Sequence, residues 1–200
     1  MSNKLQALLN EIHTLEREVA DELHRFEANV SFQVNRGKIS FSNDILKFHR
    51  TFRKGLVKYL IESNFLFILS SPVIYSLIVP AVILDCFCCV YQAVCFPIYR
   101  IPKVDRKDYI RLDRHKLAYL NGIERLNCDF CAYFNGSLAF AREIGSRTEQ
   151  YWCPIRHAFA IKGVHSRYNR FFIYGDAESY RLRLNNLRKE MQVDRGSVDV

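Results

Sequence analysis

Between Phe65 and Tyr99 the sequence has almost no charge, Asp85 being the single formally charged residue in FLFILSSPVIYSLIVPAVILDCFCCVYQAVCFPIY. A helix in a water-soluble core rarely runs so far without charge, so the segment is read as membrane-embedded. No cleavable leader is expected either, because MSNKLQALLNEIHTLEREVADELHRF shows no apolar core followed by small residues. The chain has seven cysteines, an odd number. Without a leader, that number speaks against a secreted disulfide scaffold and for a reducing compartment. Internal repeats and low-complexity tracts are absent as well.

What is present is charge of one sign, unevenly placed. The formal net charge is +8, and residues 100–200 hold 19 of the 29 Lys/Arg but only 12 of the 21 Asp/Glu. Such a surface attracts anionic lipid headgroups, nucleic acid or an acidic protein. The neighbouring membrane segment makes lipid the most economical partner, and no nucleic acid is expected.

As one straight helix, residues 65–99 would extend about 52 Å, against a hydrocarbon core of about 30 Å. That is too long for one upright pass and short for two. Ser70-Ser71-Pro72 and Pro80 interrupt the run. Arg50, Arg53, Lys54 and Lys58 precede it, and Arg100, Lys103, Arg106 and Lys107 follow it. Because positive residues collect on the cytoplasmic side, matched flanks favour a hairpin of two short arms with both termini cytoplasmic. The alternative is one kinked, tilted span from about Pro72 to Pro97. Both place the C-terminal domain in the cytoplasm. Asp85 has no second intramembrane charge to pair with, so a carboxyl at the bend or facing a polar neighbour is favoured over a proton pathway. Cys86, Cys88, Cys89 and Cys95 read as small buried hydrophobes, with lipidation near the interface as the alternative.

Upstream, Leu5, Leu8, Leu9, Ile12, Leu15, Val19, Leu23 and Phe26 recur mostly three or four apart, as on an amphipathic helix over residues 3–28. Its stripe is expected to dock on the protein itself, with a coiled coil between two copies as the sharper alternative. VSFQVNRGKISFS alternates around Asn35-Arg36-Gly37, the pattern of a minor β-hairpin. Ser42-Asn43-Asp44 then offers a cap to a basic helix reaching Lys58. Downstream, helices are expected over Arg114–Leu126 and Gly136–Gln150, from Pro154, and from Asp176 to Met191. Glu143 and Arg147 are spaced as an i,i+4 ion pair. The predicted fold is therefore mainly α, in four parts. These are an N-terminal part (1–63), a membrane segment (64–100), a small helical cytoplasmic domain (101–191) and a disordered tail (192–200).

The chemistry of that domain is expected at Cys128, Cys131, Cys153 and His157, a Cys-x2-Cys pair, a 21-residue spacer and Cys-x3-His. Two thiolates from one turn, joined by a Cys/His pair on one face of a helix begun at Pro154, would close a tetrahedron on zinc. Four protein ligands leave no open position, so such a site is structural. An iron-sulfur cluster on the same residues is the redox alternative, and thiols simply buried without metal are the third. A thioredoxin-like pair is disfavoured because no strand precedes Cys128. Covalent c-type haem is disfavoured because Ala132, not His, follows Cys131. Bundle di-iron chemistry needs Glu-x2-His, yet Glu124, Glu143, Glu149 and Glu178 are followed at that spacing by Asn127, Ser146, Trp152 and Arg181. Trp152, the only Trp, stands beside a candidate ligand and either shields it from water or packs as an ordinary core or interface residue.

The segments SPVIY, YQAVCFPIYRIPKV, DRHKLAYLNGIERLNCDFCAYFNG and REIGSRTEQYWCPIRHA lie between about Pro72 and Ala158. On these motifs the chain resembles a family of small, uncharacterised bacterial membrane proteins. The resemblance implies membrane association and brings no activity with it. Together these features predict a membrane-anchored binding or scaffold protein with a structural zinc site. A membrane redox protein, and a metal-free protein that binds lipid or a partner, are the alternatives. Residues 3–28 offer a surface for self-association or a protein partner.

Overall fold

The structure, a computed structural model, describes residues 3–28, 32–35 and 38–193. Residues 36 and 37 of the expected hairpin turn, and the expected tail from residue 194 onward, lie outside them. The fold is mainly helical and divides into two units, residues 1–55 with 116–121, and residues 56–115 with 122–200. This division differs from the expected one, because it joins the apolar segment to the polar Cys/His region.

In the first unit, α1 (Asn3–Ala28) is followed by β1 (Phe32–Asn35), β2 (Lys38–Phe41) and α2 (Asn43–Thr51). The strands pair antiparallel with Phe32 opposite Phe41 and Val34 opposite Ile39. Ser42 caps α2 by accepting from the Ile45 N–H, satisfying one of the donors a helix start leaves free. The His49 ring stands edge-on to Phe41 and Tyr119, at 5.4 and 5.3 Å between centroids. Within this unit, and among the described residues, five members of the expected α1 stripe do not dock: Leu8, Ile12, Leu15, Val19 and Leu23 are 47–60% exposed.

The second unit begins with α3 (Leu56–Glu62), α4 (Phe65–Ser76) and α5 (Ile78–Tyr99). Asn64 caps α4 by accepting from the Leu66 N–H at 2.9 Å. Pro72 sits inside α4, where its ring removes the bond that Ile68 C=O would accept. The Ser71 hydroxyl donates to that carbonyl at 2.8 Å instead, and Ser70 and Ser76 likewise bond within the helix. Serines therefore leave little unsatisfied polarity in the apolar run. The two-armed hairpin expected here is replaced by one helical course. At the junction Leu77 keeps helical angles (φ −63°, ψ −14°), and its N–H donates to Ile74 C=O. The Ala81 N–H then donates to Leu77 C=O, so no residue is free to reverse the chain. The course ends at Arg100, whose left-handed backbone (φ 56°) turns its N–H back to the last carbonyls.

After one-turn 3-10 helices at Arg106–Asp108 and Arg114–Lys116 comes α6 (Gly122–Trp152), a single 31-residue helix where two shorter ones were expected. Nothing between Asn127 and Asn135 breaks the helix, and Gly136 lies inside it. That glycine marks a close crossing, since a Cβ there would stand 2.7 Å from Tyr109 C=O. The helix expected from Pro154 is absent too. Pro154 is buried, and the chain runs extended, with Phe172 N–H donating to Pro154 C=O and Arg156 N–H to Phe172 C=O, both at 2.8 Å. Pro154 thus starts a parallel bridge, Ile155 to Phe172, instead of a helix. The last helix, α7 (Ala177–Val193), starts where Asp176 accepts from the Ser179 N–H and buries Leu187 and Met191.

The core joins these parts: Phe96 of α5, Ile101 and Val104 of the following loop, Phe140 and Ile144 of α6 and Met191 of α7. All are at most 5% exposed.

Candidate functional site

The four expected metal ligands are not brought together. Cys128 and Cys131 lie near the start of α6 and Cys153 lies one residue past its end. At ~1.5 Å per residue, the 22 positions from Cys131 to Cys153 along α6 separate them by about 33 Å. No single ion bridges that distance, so the tetrahedron of Cys128, Cys131, Cys153 and His157 is corrected to two remote sets. Among the described residues, no group of three or more His, Cys, Asp or Glu is placed to hold a metal ion. All seven cysteines are free. Although Cys153 is exposed as a residue, partial desolvation of its sulfur and the nearby Glu149 push the thiol above its ordinary value, which disfavours a resting thiolate. The His157 N–H donates to the Tyr168 hydroxyl at 2.7 Å, and its ring stacks on Tyr168. Trp152 packs edge-on to Tyr99 and Tyr151, at 5.0 and 5.2 Å between centroids. It shields no ligand cluster.

The structure assembles a different polar centre, around Asp85. This carboxylate, 5% exposed, faces α6 and receives three bonds from one guanidinium: Arg106 Nε at 3.0 and 3.1 Å and Nη2 at 2.6 Å. The Tyr133 hydroxyl donates to Oδ2 at 2.9 Å, and the Cys89 thiol lies 3.7 Å from Oδ1. The carboxylate bond holds Arg106 above its ordinary range, while burial and then Asp85 push the Tyr133 phenol up. Every formal charge here has its partner, so the centre stores no free acid or base. Its effect is to lock α5, the Arg106 turn and α6 in one register. The expectation of a polar neighbour for Asp85 named neither Arg106 nor Tyr133. They lie 21 and 48 residues away, and the only signal was a basic residue in the following flank.

A second network closes the other end of α6. Arg147 donates to Glu143 at 2.7 Å, the i,i+4 pair seen in the sequence, and also to Pro102 C=O at 2.7 Å. Arg167 adds bonds to Glu143 at 3.2 Å and to Gln150 at 3.0 Å. Burial pushes the Glu143 carboxyl up, but Arg147 and Arg167 outweigh it and hold it below its ordinary range. His165 meets Glu149 at 2.9 Å. These groups anchor the loops on α6, and their charges neutralise one another.

The widest unsatisfied feature is apolar. Phe65, Phe67, Val73, Phe87, Val90 and Ile98 on α4 and α5 are 63–72% exposed, and Phe65–Tyr99 is apolar and long enough, by length and composition, to cross a membrane. Arg100, Lys103 and Lys107 stand exposed just beyond its end. No protein-family model, curated protein or solved structure matches the chain.

Proposed function

We propose that the protein is a membrane-anchored binding or scaffold protein of a bacterial inner membrane, its polar helical part and both termini on the cytoplasmic side. The observation that carries this reading is the exposed face of α4 and α5. Six residues there, each showing on the order of 100 Å² of apolar surface, reach the upper end of what the largest patch on a soluble monomer shows, and exposed Leu66, Leu69, Val79 and Val94 extend the surface further. Exposed Arg100, Lys103 and Lys107 complement anionic headgroups. Tyr99 and Trp152 cluster at the same end, as aromatic residues do at membrane interfaces. The resemblance to small bacterial membrane proteins points the same way. A four-ligand zinc or iron-sulfur centre within one chain forms no part of this function, given the separation along α6. The uncovered stripe of α1 supports self-association through residues 3–28 as the binding surface. Washing isolated membranes with alkaline carbonate tests the anchor: the full chain is expected to stay in the pellet, and release into the supernatant would overturn it.

A further inference from the structure

We infer that the apolar run lies along a single leaflet and does not cross the bilayer. The inference rests on the membrane reading above and deepens it. It comes from what α6 does beside α4 and α5. The two courses run parallel and in step. Tyr75 bonds Asn127 and packs on Phe130, Asp85 accepts from Tyr133, Tyr91 meets Thr148 at 3.1 Å, and Tyr99 packs on Tyr151 and Trp152. Whatever depth α4 and α5 take in a membrane, α6 takes beside them.

α6 is unsuited to crossing. Glu124, Arg125 and Asp129 mark one end of its uncharged window, and Arg142, Glu143, Arg147 and Glu149 mark the other. The window itself, residues 130–141, extends about 18 Å at ~1.5 Å per residue, against a hydrocarbon core of about 30 Å. An upright α5 would therefore draw ionised groups of α6 into hydrocarbon, where they are costly. It would also carry the Asp85–Arg106 pair inside, although the Arg106 side chain is 43% exposed. Laid flat, the same molecule meets none of these costs. Leu69, Phe87 and Ile98, 63–71% exposed, point away from the buried Asp85 and Phe96 by helical spacing. They enter the acyl region while α6 stays on the water side. A helix so placed sits about 5–10 Å into the boundary between headgroups and chains. It also returns both basic flanks to one side of the membrane without a hairpin.

Depth-dependent quenching by bromolipids tests this on the full chain. Trp152→Phe removes the native indole, and Leu69→Trp, Phe87→Trp and Ile98→Trp are then introduced one at a time, all at exposed positions. The variants are bound to vesicles of mixed zwitterionic and anionic lipid brominated at shallow, middle or deep acyl positions. Equal depths at all three sites, within about 5 Å, support the leaflet-parallel placement. A Phe87→Trp indole deeper than the other two by roughly 15 Å is the signature of a crossing helix and would overturn it. No quenching at any site, in variants with unchanged helical circular dichroism, would overturn the membrane reading itself.

Discussion

Asp85 shows what a single residue can and cannot reveal in advance. A lone carboxyl in an apolar run announces that a partner must exist, because a buried charge is tolerated only when paired. It does not say where the partner is, and Arg106 and Tyr133 reach it through tertiary folding. Arg106→Met leaves the carboxylate buried and unpaired. As the guanidinium is partly exposed, the expected loss is about 1–3 kcal/mol of unfolding free energy in detergent. Tyr133→Phe removes one bond and is expected to cost about 1 kcal/mol. The cysteines behave in the opposite way. Cys-x2-Cys and Cys-x3-His have the spacing of metal ligands, but one long helix separates the two sets. With Cys131 and Cys153 both exposed and remote, the double variant Cys131→Ser, Cys153→Ser is expected to unfold within about 0.5 kcal/mol of the parent. The parent's melting temperature is likewise expected to ignore a strong chelator. A drop of several degrees in either experiment would restore the metal. Glu143 gives the pH dependence. Its folded-state value is depressed by Arg147 and Arg167, so the stability it contributes is complete above the unfolded carboxylate value of about 4.3 and is lost as pH falls through the folded one. Glu143→Gln, measured by denaturant titration between pH 3 and 6, is expected to flatten that part of the profile.

At the scale of elements, the existence of α1, α2 and α7 follows from apolar periodicity and from caps at Ser42 and Asp176. Boundaries in the Cys/His region do not follow, and the reason is particular. Gly136 has the local look of a helix start, yet it lies within α6, where the Tyr109 carbonyl and Ile110 press against it and exclude a side chain. Pro154 suits the first turn of a helix, yet its carbonyl accepts from Phe172 N–H in the bridge. Both residues answer to chain segments that no local pattern displays. Gly136→Ala should therefore act as overpacking and not as a gain in helix propensity. The expected cost is about 1–3 kcal/mol, read from the chemical denaturation midpoint, whereas stabilisation would mean that the crossing is loose. For α1, the exposed stripe predicts a pair. Sedimentation in detergent is expected to give a dimer for the parent and a monomer for Leu15→Lys, Val19→Lys, while equal masses would leave α1 without that role.

For the molecule as a whole, composition located the apolar segment correctly but could not orient it. Orientation depends on α6, whose charges are visible in the sequence but whose place beside α5 is fixed by the core around Phe96, Phe140 and Ile144. On the proposed membrane reading, the basic edge after residue 99 would set which lipid the molecule prefers, separately from what retains it. Apolar burial along Phe65–Tyr99 is indifferent to headgroup charge, whereas each Lys or Arg near an anionic surface contributes about 1 kcal/mol. Arg100→Gln, Lys103→Gln and Lys107→Gln combined are therefore expected to lower the ratio of partitioning between anionic and zwitterionic vesicles on the order of a hundredfold. Raising ionic strength should reduce the parent's ratio in the same direction, and carbonate-resistant retention should be untouched. If the triple variant instead left the membrane while the ratio stayed constant, these three residues would be holding the fold together, and the lipid preference would have to come from elsewhere in the chain.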